Sequence, residues 1–412
     1  MANKISDYLS MRLLAATSAC WLLAQMAYYS QTQLLTPVMN SYDVSATSVG
    51  FMMSNEIIVF ALVALFMAAP MARLPRVKIA FGSCLSLIIC NLISVYAPSF
   101  EVLSIVRILA GVSAGMIGAI GTASAATSNN PQRAFAIVAV VSGLGFSINA
   151  VIFPYFTIPY GALGGYMVMT FVALICAPLM LWLSAPSDIQ RNQKKLEPIP
   201  SLHSPFYRLG ERLGVHRAPN VSIALFAILA LVIYEIGQSS LLVYLEQFGV
   251  TSGMDLISIG ETIGIVGVFG LVGGVIAYWL GERFGNLKPV LVGIFINVSM
   301  GAALPLVSNP TGFITCYLLW GISFYFLVPY IFGLITELDK KGRWTVAADA
   351  IWWLAAAPGA FIGGFSVSMG GYESLSILAF VTGVISIIIF FLTMNHFYLA
   401  RAVHSGQQLQ TP

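Results

Sequence analysis

Twelve apolar stretches, each about the 20 residues a helix needs to cross ~30 Å of hydrocarbon, fill most of this 412-residue chain. They run near 11–38, 48–70, 79–97, 100–126, 133–157 and 164–184. After a polar gap they resume near 221–247, 257–280, 288–307, 311–336, 344–368 and 374–399. Residues are 58% hydrophobic and 8% charged, against about 45–50% and about 25% in an ordinary soluble domain. A soluble fold with so few polar side chains could not cover its surface, which excludes a cytosolic enzyme. The net charge of +3 leaves no electrostatic footprint for nucleic acid. Apolar residues dominate nearly every window, so disorder is excluded as well. An all-α membrane protein follows.

The even count places both termini on one side, and Lys and Arg choose that side. Loops after even spans carry Arg73, Arg76 and Lys78, then Arg133, then Arg283 and Lys288, then Lys340, Lys341 and Arg343. The 185–220 connection adds Arg191, Lys194, Lys195, Arg208, Arg212 and Arg217, and the ends add Lys4, Arg12 and Arg401. Loops after odd spans carry neither Lys nor Arg. The positive-inside rule then predicts cytoplasmic termini and a cytoplasmic central connection, in the cytoplasmic (inner) membrane. Of the 19 cations, Arg107, inside span 4, alone departs from this pattern. The apolar run after Arg12 exceeds a signal-peptide h-region and reads as the first span.

Sliding one half over the other gives matches at an offset of 210 residues. Gly50 meets Gly260, Arg73 meets Arg283, Lys78 meets Lys288, and Arg133 meets Arg343. In spans 4 and 10, Gly111-Val112-Ser113 meets Gly321-Ile322-Ser323. The expected organisation is a six-helix bundle over 1–184, a cytoplasmic linker over 185–220 and a second six-helix bundle over 221–412. Parallel repeats of this kind hold their substrate at the repeat interface near the bilayer midplane. Span 8 carries Gly260, Gly264, Gly267, Gly270 and Gly274 on one helix face, a surface for close helix packing. Pro358-Gly359 should break or kink span 11.

Between spans 8 and 9, Tyr278-Trp279-Leu280-Gly281-Glu282-Arg283-Phe284-Gly285 resembles the Major Facilitator Superfamily loop motif GxLaDRxGrr. Glu282 stands for the acid and Tyr278 for the first glycine. Arg107 with Gly111 and Gly115 is similar to that superfamily's RxxxGxxxG motif. The resemblance implies two six-helix pseudo-repeats around a central cavity and transport by alternating access. It also implies a cytoplasmic gating role for Glu282, Arg283 and Gly285, and a part for Arg107 in proton or substrate coupling. Two departures stand out. The loop after span 2, Ala69-Pro70-Met71-Ala72-Arg73-Leu74-Pro75-Arg76, lacks the motif's acid and second glycine. Span 5 reads Ser142-Gly143-Leu144-Gly145-Phe146, without the GPxxGG common in the superfamily's antiporters.

Enzymatic readings fail on context. Gly111-Val112-Ser113-Ala114-Gly115 matches a nucleophile elbow, but it lies within a helix and has no histidine partner. His203, His216, His396 and His404 lie in polar segments or near a span end. The five cysteines fall in apolar stretches and form no CxxC, so neither a disulfide framework nor a zinc site is indicated. No GxxxxGK[ST] occurs, which excludes ATP drive within this chain. No catalytic residue, metal or cofactor is expected.

What remains is charge inside the membrane, where an ionisable side chain usually marks a pathway. At ~1.5 Å per residue, Arg107 and Glu235 lie about 10 Å and Glu56 about 12 Å below the outer surface, while Asp349 lies about 9 Å above the inner one. Glu56, Arg107, Glu235 and Asp349 are therefore the candidates for proton coupling. Glu246, Glu261 and Glu337 sit near span ends, where water is in reach. An acid that exchanges Arg107 for a proton as the cavity opens makes a workable proton carrier. Gln25 pairs with Glu235 at the 210 offset, so the proton site is expected in the second half. The candidate substrate-binding residues are Arg107, Gln25, Tyr28, Tyr29, Tyr234, Glu235, Trp352 and Trp353, with Trp320 and Tyr325 at similar levels. Asp349 and Trp352 or Trp353 share a helix face and could hold a cation by charge and ring. Arg107 could instead bind a carboxylate bidentately.

The expected activity is secondary active transport of a small organic solute, proton-coupled and by symport. Proton-antiport efflux of amphipathic or cationic compounds is the alternative, and a non-transporting membrane receptor or assembly partner a second one. Solute, protons and the lipid bilayer are the expected partners, and the chain is expected to act as a monomer.

Overall fold

The structure, a computed structural model, describes residues 2–67, 74–126, 131–183, 221–281, 283–338 and 343–404. Side chains at 2–10, 126, 131–136, 139, 343, 345–347, 349–350 and 400–404 lie outside that description. Among the described residues every regular element is helical. Span 1 is Ala2–Tyr42, span 2 Ala46–Met67, span 3 Arg76–Val95 and span 4 Phe100–Ala126. Spans 5 and 6 occupy Pro131–Cys176, interrupted at Gly161, whose φ of 58° a side chain would strain. Span 7 is Val221–Val243 and is followed by a short helix, Leu245–Thr251. Span 8 is jointed, Leu256–Phe269 then Leu271–Leu280. Span 9 is Leu287–Ala303 and span 10 Pro310–Thr336. Span 11 breaks at Pro358, as expected, into Arg343–Ala356 and Gly359–Gly370; span 12 is Glu373–His404.

Ten segments among the described residues are apolar and long enough to cross a bilayer, and one of them, Val140–Trp182, holds both spans 5 and 6. Span 1 is too polar to qualify alone, yet its Gln25, Gln31 and Gln33 are all buried. It is therefore sheathed by protein instead of lipid. The opposite pattern marks the periphery: span 3 exposes Phe81, Leu85 and Ile89, span 6 Phe171 and Leu174, span 9 Val292 and Phe295, span 12 Ile377 and Phe391. Exposed rows of large apolar side chains on membrane helices face hydrocarbon. The sequence puts twelve helices in two six-helix pseudo-repeats, and this is the fold observed.

Between the halves, span 2 packs on the second part of span 11 and span 5 on the first part of span 8. Small residues make both contacts possible. A Cβ on Gly260 would meet the Ala150 carbonyl oxygen at 2.6 Å, and one on Gly264 the Ser147 carbonyl oxygen at 2.8 Å. Gly50 stands against the Ala360 carbonyl, and Gly364 against the Thr47 backbone. The glycine stripe of span 8 changes partner at its joint: Gly270 and Gly273 face Tyr325 and Ile322 of span 10. Span 8 thus leaves span 5 halfway along its length.

The 210-residue repeat is visible in a hydrogen bond. Thr32 Oγ1 donates to the Leu242 carbonyl at 2.6 Å, and these two positions differ by 210. A residue that touches its own repeat mate lies on the axis relating the halves, so spans 1 and 7 cross on that axis. Toward the end bearing the loops after odd spans, the Gln247 amide donates to the Thr36 hydroxyl. The Phe361 N–H donates to Ser54 Oγ at 3.1 Å. These ties hold the halves together at the odd-loop end.

Gly260→Leu or Gly264→Leu should force span 8 off span 5 and cost about 1–3 kcal/mol. Gly274→Ala is the control, because its nearest neighbour, the Tyr325 carbonyl oxygen, is 4.0 Å away. Melting temperature of the purified protein in detergent checks both; equal behaviour of the leucine and alanine variants would refute the close-contact account.

Candidate functional site

Two buried charge arrangements occupy the membrane level, and they differ in kind. In the first half, Arg107 Nε donates to Glu56 Oε2 at 2.9 Å and a terminal nitrogen donates to Glu56 Oε1, a bidentate pair. The other terminal nitrogen donates to Asn91 Oδ1 at 2.8 Å. The Tyr166 ring lies 5.1 Å from the guanidinium carbon, within cation–π range. Arg107, Glu56, Asn91 and Tyr166 are all buried. Gly111 is required here, because a Cβ on it would press on the Glu56 carbonyl. The residues around the pair come from spans 1, 2, 3, 4 and 6, including Leu23, Leu87 and Met169. It is therefore internal to the first half, and Arg107 offers its fork to Glu56 instead of to a solute. The sequence put Glu56 and Arg107 at one level as exchangeable partners; the structure has them locked together.

The second arrangement lies where spans 1, 7 and 11 meet. Glu235 is 2% exposed. Trp352 of span 11 and Tyr28 of span 1 stand beside its carboxylate, while Oε2 has no partner among the described residues. Tyr28 packs edge-on against Trp353, with ring centroids 5.6 Å apart, and Phe60 of span 2 packs on the same tryptophan at 6.1 Å. Tyr29 donates to Gln25 Oε1 at 2.8 Å and lies against Phe146 of span 5. Tyr28 and Trp352 thus stand beside one unpaired carboxylate oxygen of Glu235, with Trp353 and Tyr29 packed on Tyr28 and Gln25 bonded to Tyr29. Both halves contribute to this group.

Other expectations fall elsewhere. Tyr234 turns into the second half, where its hydroxyl donates to Asn297 Oδ1 at 2.7 Å. The Trp320 indole donates to Gln238 Oε1 at 2.6 Å. Asp349 belongs to the helix Arg343–Ala356, but its side chain lies outside the described residues. So does Glu282; Arg283 and Gly285 form an exposed turn beside it. Glu261 is exposed, as expected. Glu337 is half-buried, and accepts from Asn286 and Tyr398. Glu246 is corrected outright: at 3% exposed it is buried, because the chain folds into the short helix Leu245–Thr251 beyond span 7. Among the described residues no group of acids, histidines and cysteines could hold a metal.

The Major Facilitator Superfamily profile matches residues 17–343. The chain belongs to that superfamily. It is similar to two uncharacterized MFS-type transporters of Bacillus subtilis (strain 168), YceJ and YfhI. The first is 24% identical over 395 residues, 91% of this chain and 94% of the relative. The second is 24% identical over 363 residues, 84% of each. In fold the chain is similar to a crystallised mutant of the nucleoside transporter NupG, with a TM-score of 0.71 at 14% identity, over 94% of this chain and 100% of that one. The protein is thus a multi-pass membrane transporter of this superfamily.

For a superfamily member, the residues missed by sequence reasoning are instructive. Asn91 looks like an ordinary polar residue in span 3 until its carbonyl is seen capping Arg107. Gln238 lies one turn from Glu235 with an unpartnered Nε2; the i, i+3 spacing was its only signal. Breaking a buried ion pair strands the remaining charge, at about 3–5 kcal/mol. Glu56→Gln alone should therefore lower thermal stability sharply. The double variant Glu56→Gln with Arg107→Gln should be more stable than Glu56→Gln alone. Thermal unfolding in detergent measures both; additive losses would show that the pair is not coupled.

Proposed function

We propose that this transporter moves a small organic solute across the cytoplasmic membrane by alternating access, driven by protons, with Glu235 as the residue that binds and releases the proton. The rocking bodies are residues 1–184 and 221–412, with 185–220 as a cytoplasmic linker. One observation carries the reading: a buried carboxylate at the crossing of spans 1, 7 and 11 with a free oxygen. A charge so placed is costly unless neutralised. With Arg107 committed to Glu56, the groups available to neutralise Glu235 are a proton or a cationic solute. Proton and cation then compete for one site, which favours exchange over symport.

The aromatic lining supports the same choice, since ring faces attract cations. Tyr28, Trp352 and Trp353 supply those rings beside the acid. Symport of a neutral solute is the second reading, supported by the uncharged Gln25–Tyr29 pair, which can bond a solute without displacing the proton. The close packing at the odd-loop end supports a state closed there, which the charge distribution of the loops makes the outer side.

Proteoliposomes with an internal pH dye test this against an aromatic amine, its neutral amide analogue and an aromatic carboxylate. Amine gradients should drive protons the opposite way, and Glu235→Gln should abolish that flux while leaving the protein folded. Co-directional proton movement with the neutral analogue would establish symport instead. Proton-coupled flux that survives in Glu235→Gln would overturn the assignment of the proton site.

A further inference from the structure

Glu246 joins Glu235 as a deeply buried acid of the second half among the described residues, and it has no part in the transport step proposed above. We propose that Glu246 is a second proton-binding site, set in the seam that closes the odd-loop end, whose protonated form holds that seam shut. It stands one turn beyond the Thr32–Leu242 bond on the axis between the halves. Its repeat mate at the 210 offset is Thr36, and Thr36 accepts the hydrogen bond from the neighbouring Gln247. Tyr372 extends the same seam, its hydroxyl 3.5 Å from Gln247 Oε1. Where the first half places a small neutral hydroxyl on the axis, the second half places a carboxyl.

That carboxyl is 3% exposed. No hydrogen-bond or ion-pair partner for it occurs among the described residues. The short helix that bears it packs on spans 1, 7, 8 and 10. The titratable groups at the odd-loop end of those elements offer no counter-charge, and the turn Leu304–Leu306 that also touches the short helix carries none. Tyr244 and Tyr317 are neutral hydroxyls, Tyr42 donates away to the Ala97 carbonyl, and Asp255 and Glu261 at the start of span 8 are exposed acids. Burial alone pushes the Glu246 carboxyl up to about 8. Opening the seam would wet the group and return it to the ordinary carboxyl range, about 4.3.

The sign follows from linkage. Below the ordinary range both states hold the proton, and the closed seam has its full advantage. Between there and about 8 only the closed state holds it, so the closed-to-open ratio falls about tenfold per pH unit. Closure therefore takes a proton from the odd-loop side, and opening returns it there.

Spin labels at Tyr96→Cys and Ser308→Cys, exposed on that end of the two halves, report the separation when Cys316 is changed to Ser. In the otherwise native chain the label distance should lengthen as pH rises from 5 to 9. Glu246→Gln should hold the short distance throughout. Glu246→Thr, which copies the repeat mate and is smaller, should do the same if the glutamine variant fails to fold. Glu235→Gln should keep the native pH response, so failure of the transport reading leaves this result standing. A pH-independent distance in the native chain, or a native pH response in both Glu246 variants, would overturn the proposal.

Discussion

A charge removed from water must find a partner or lose its charge, and in a membrane there is no bulk solvent nearby to soften that demand. Three buried acids of this transporter, Glu56, Glu235 and Glu246, meet it in different ways. Glu56 is matched by Arg107, with Asn91 and Tyr166 completing the guanidinium's surroundings. Glu235 has neutral neighbours, Tyr28 and Trp352, and an oxygen without a partner among the described residues. Glu246 has burial and nothing else. The first solution is static. On the proposals above, the others are completed by a bound proton or cation.

The two halves share a backbone plan but divide the chemistry. At the 210 offset Arg107 maps to Tyr317, Glu56 to Val266 and Asn91 to Gly301, so the charged cluster has no counterpart in the second half. Conversely Glu235 maps to Gln25 and Glu246 to Thr36. The first half carries a compensated pair that fastens spans 2, 3 and 4. Among the described residues the second half carries two buried acids without a counter-charge, Glu235 and Glu246, on or just beyond span 7, the helix that crosses span 1 on the axis. Groups close to that axis feel any rocking of one half against the other, because their surroundings come from both.

Glycine and small residues make that motion mechanically possible. Spans 5 and 8 touch backbone to backbone at Gly260 and Gly264, then part where span 8 is jointed at Gly270. Interfaces without interlocking side chains can slide or separate without rotamer changes in a packed core. Span 11 is broken at Pro358, beside the tryptophans that line the Glu235 group.

The sequence by itself determined the twelve helices, their grouping in two repeats and the offset between them, because hydrophobic length and repeat spacing are one-dimensional properties. It also selected Gln25, Tyr28, Tyr29, Glu235, Trp352 and Trp353, since aromatic and acidic residues at one depth stand out against an apolar background. Depth along a helix, however, says nothing about which way a side chain turns. Only the tertiary structure decided that Arg107 faces Glu56 within one half, and that Tyr234 turns to Asn297 while its neighbour Glu235 turns to the axis. Glu246 shows the same limit most plainly. It is the last residue but one of the span expected over 221–247, a place where water is normally in reach. Burial was imposed on it by the packing of four other spans, a three-dimensional fact with no local signature.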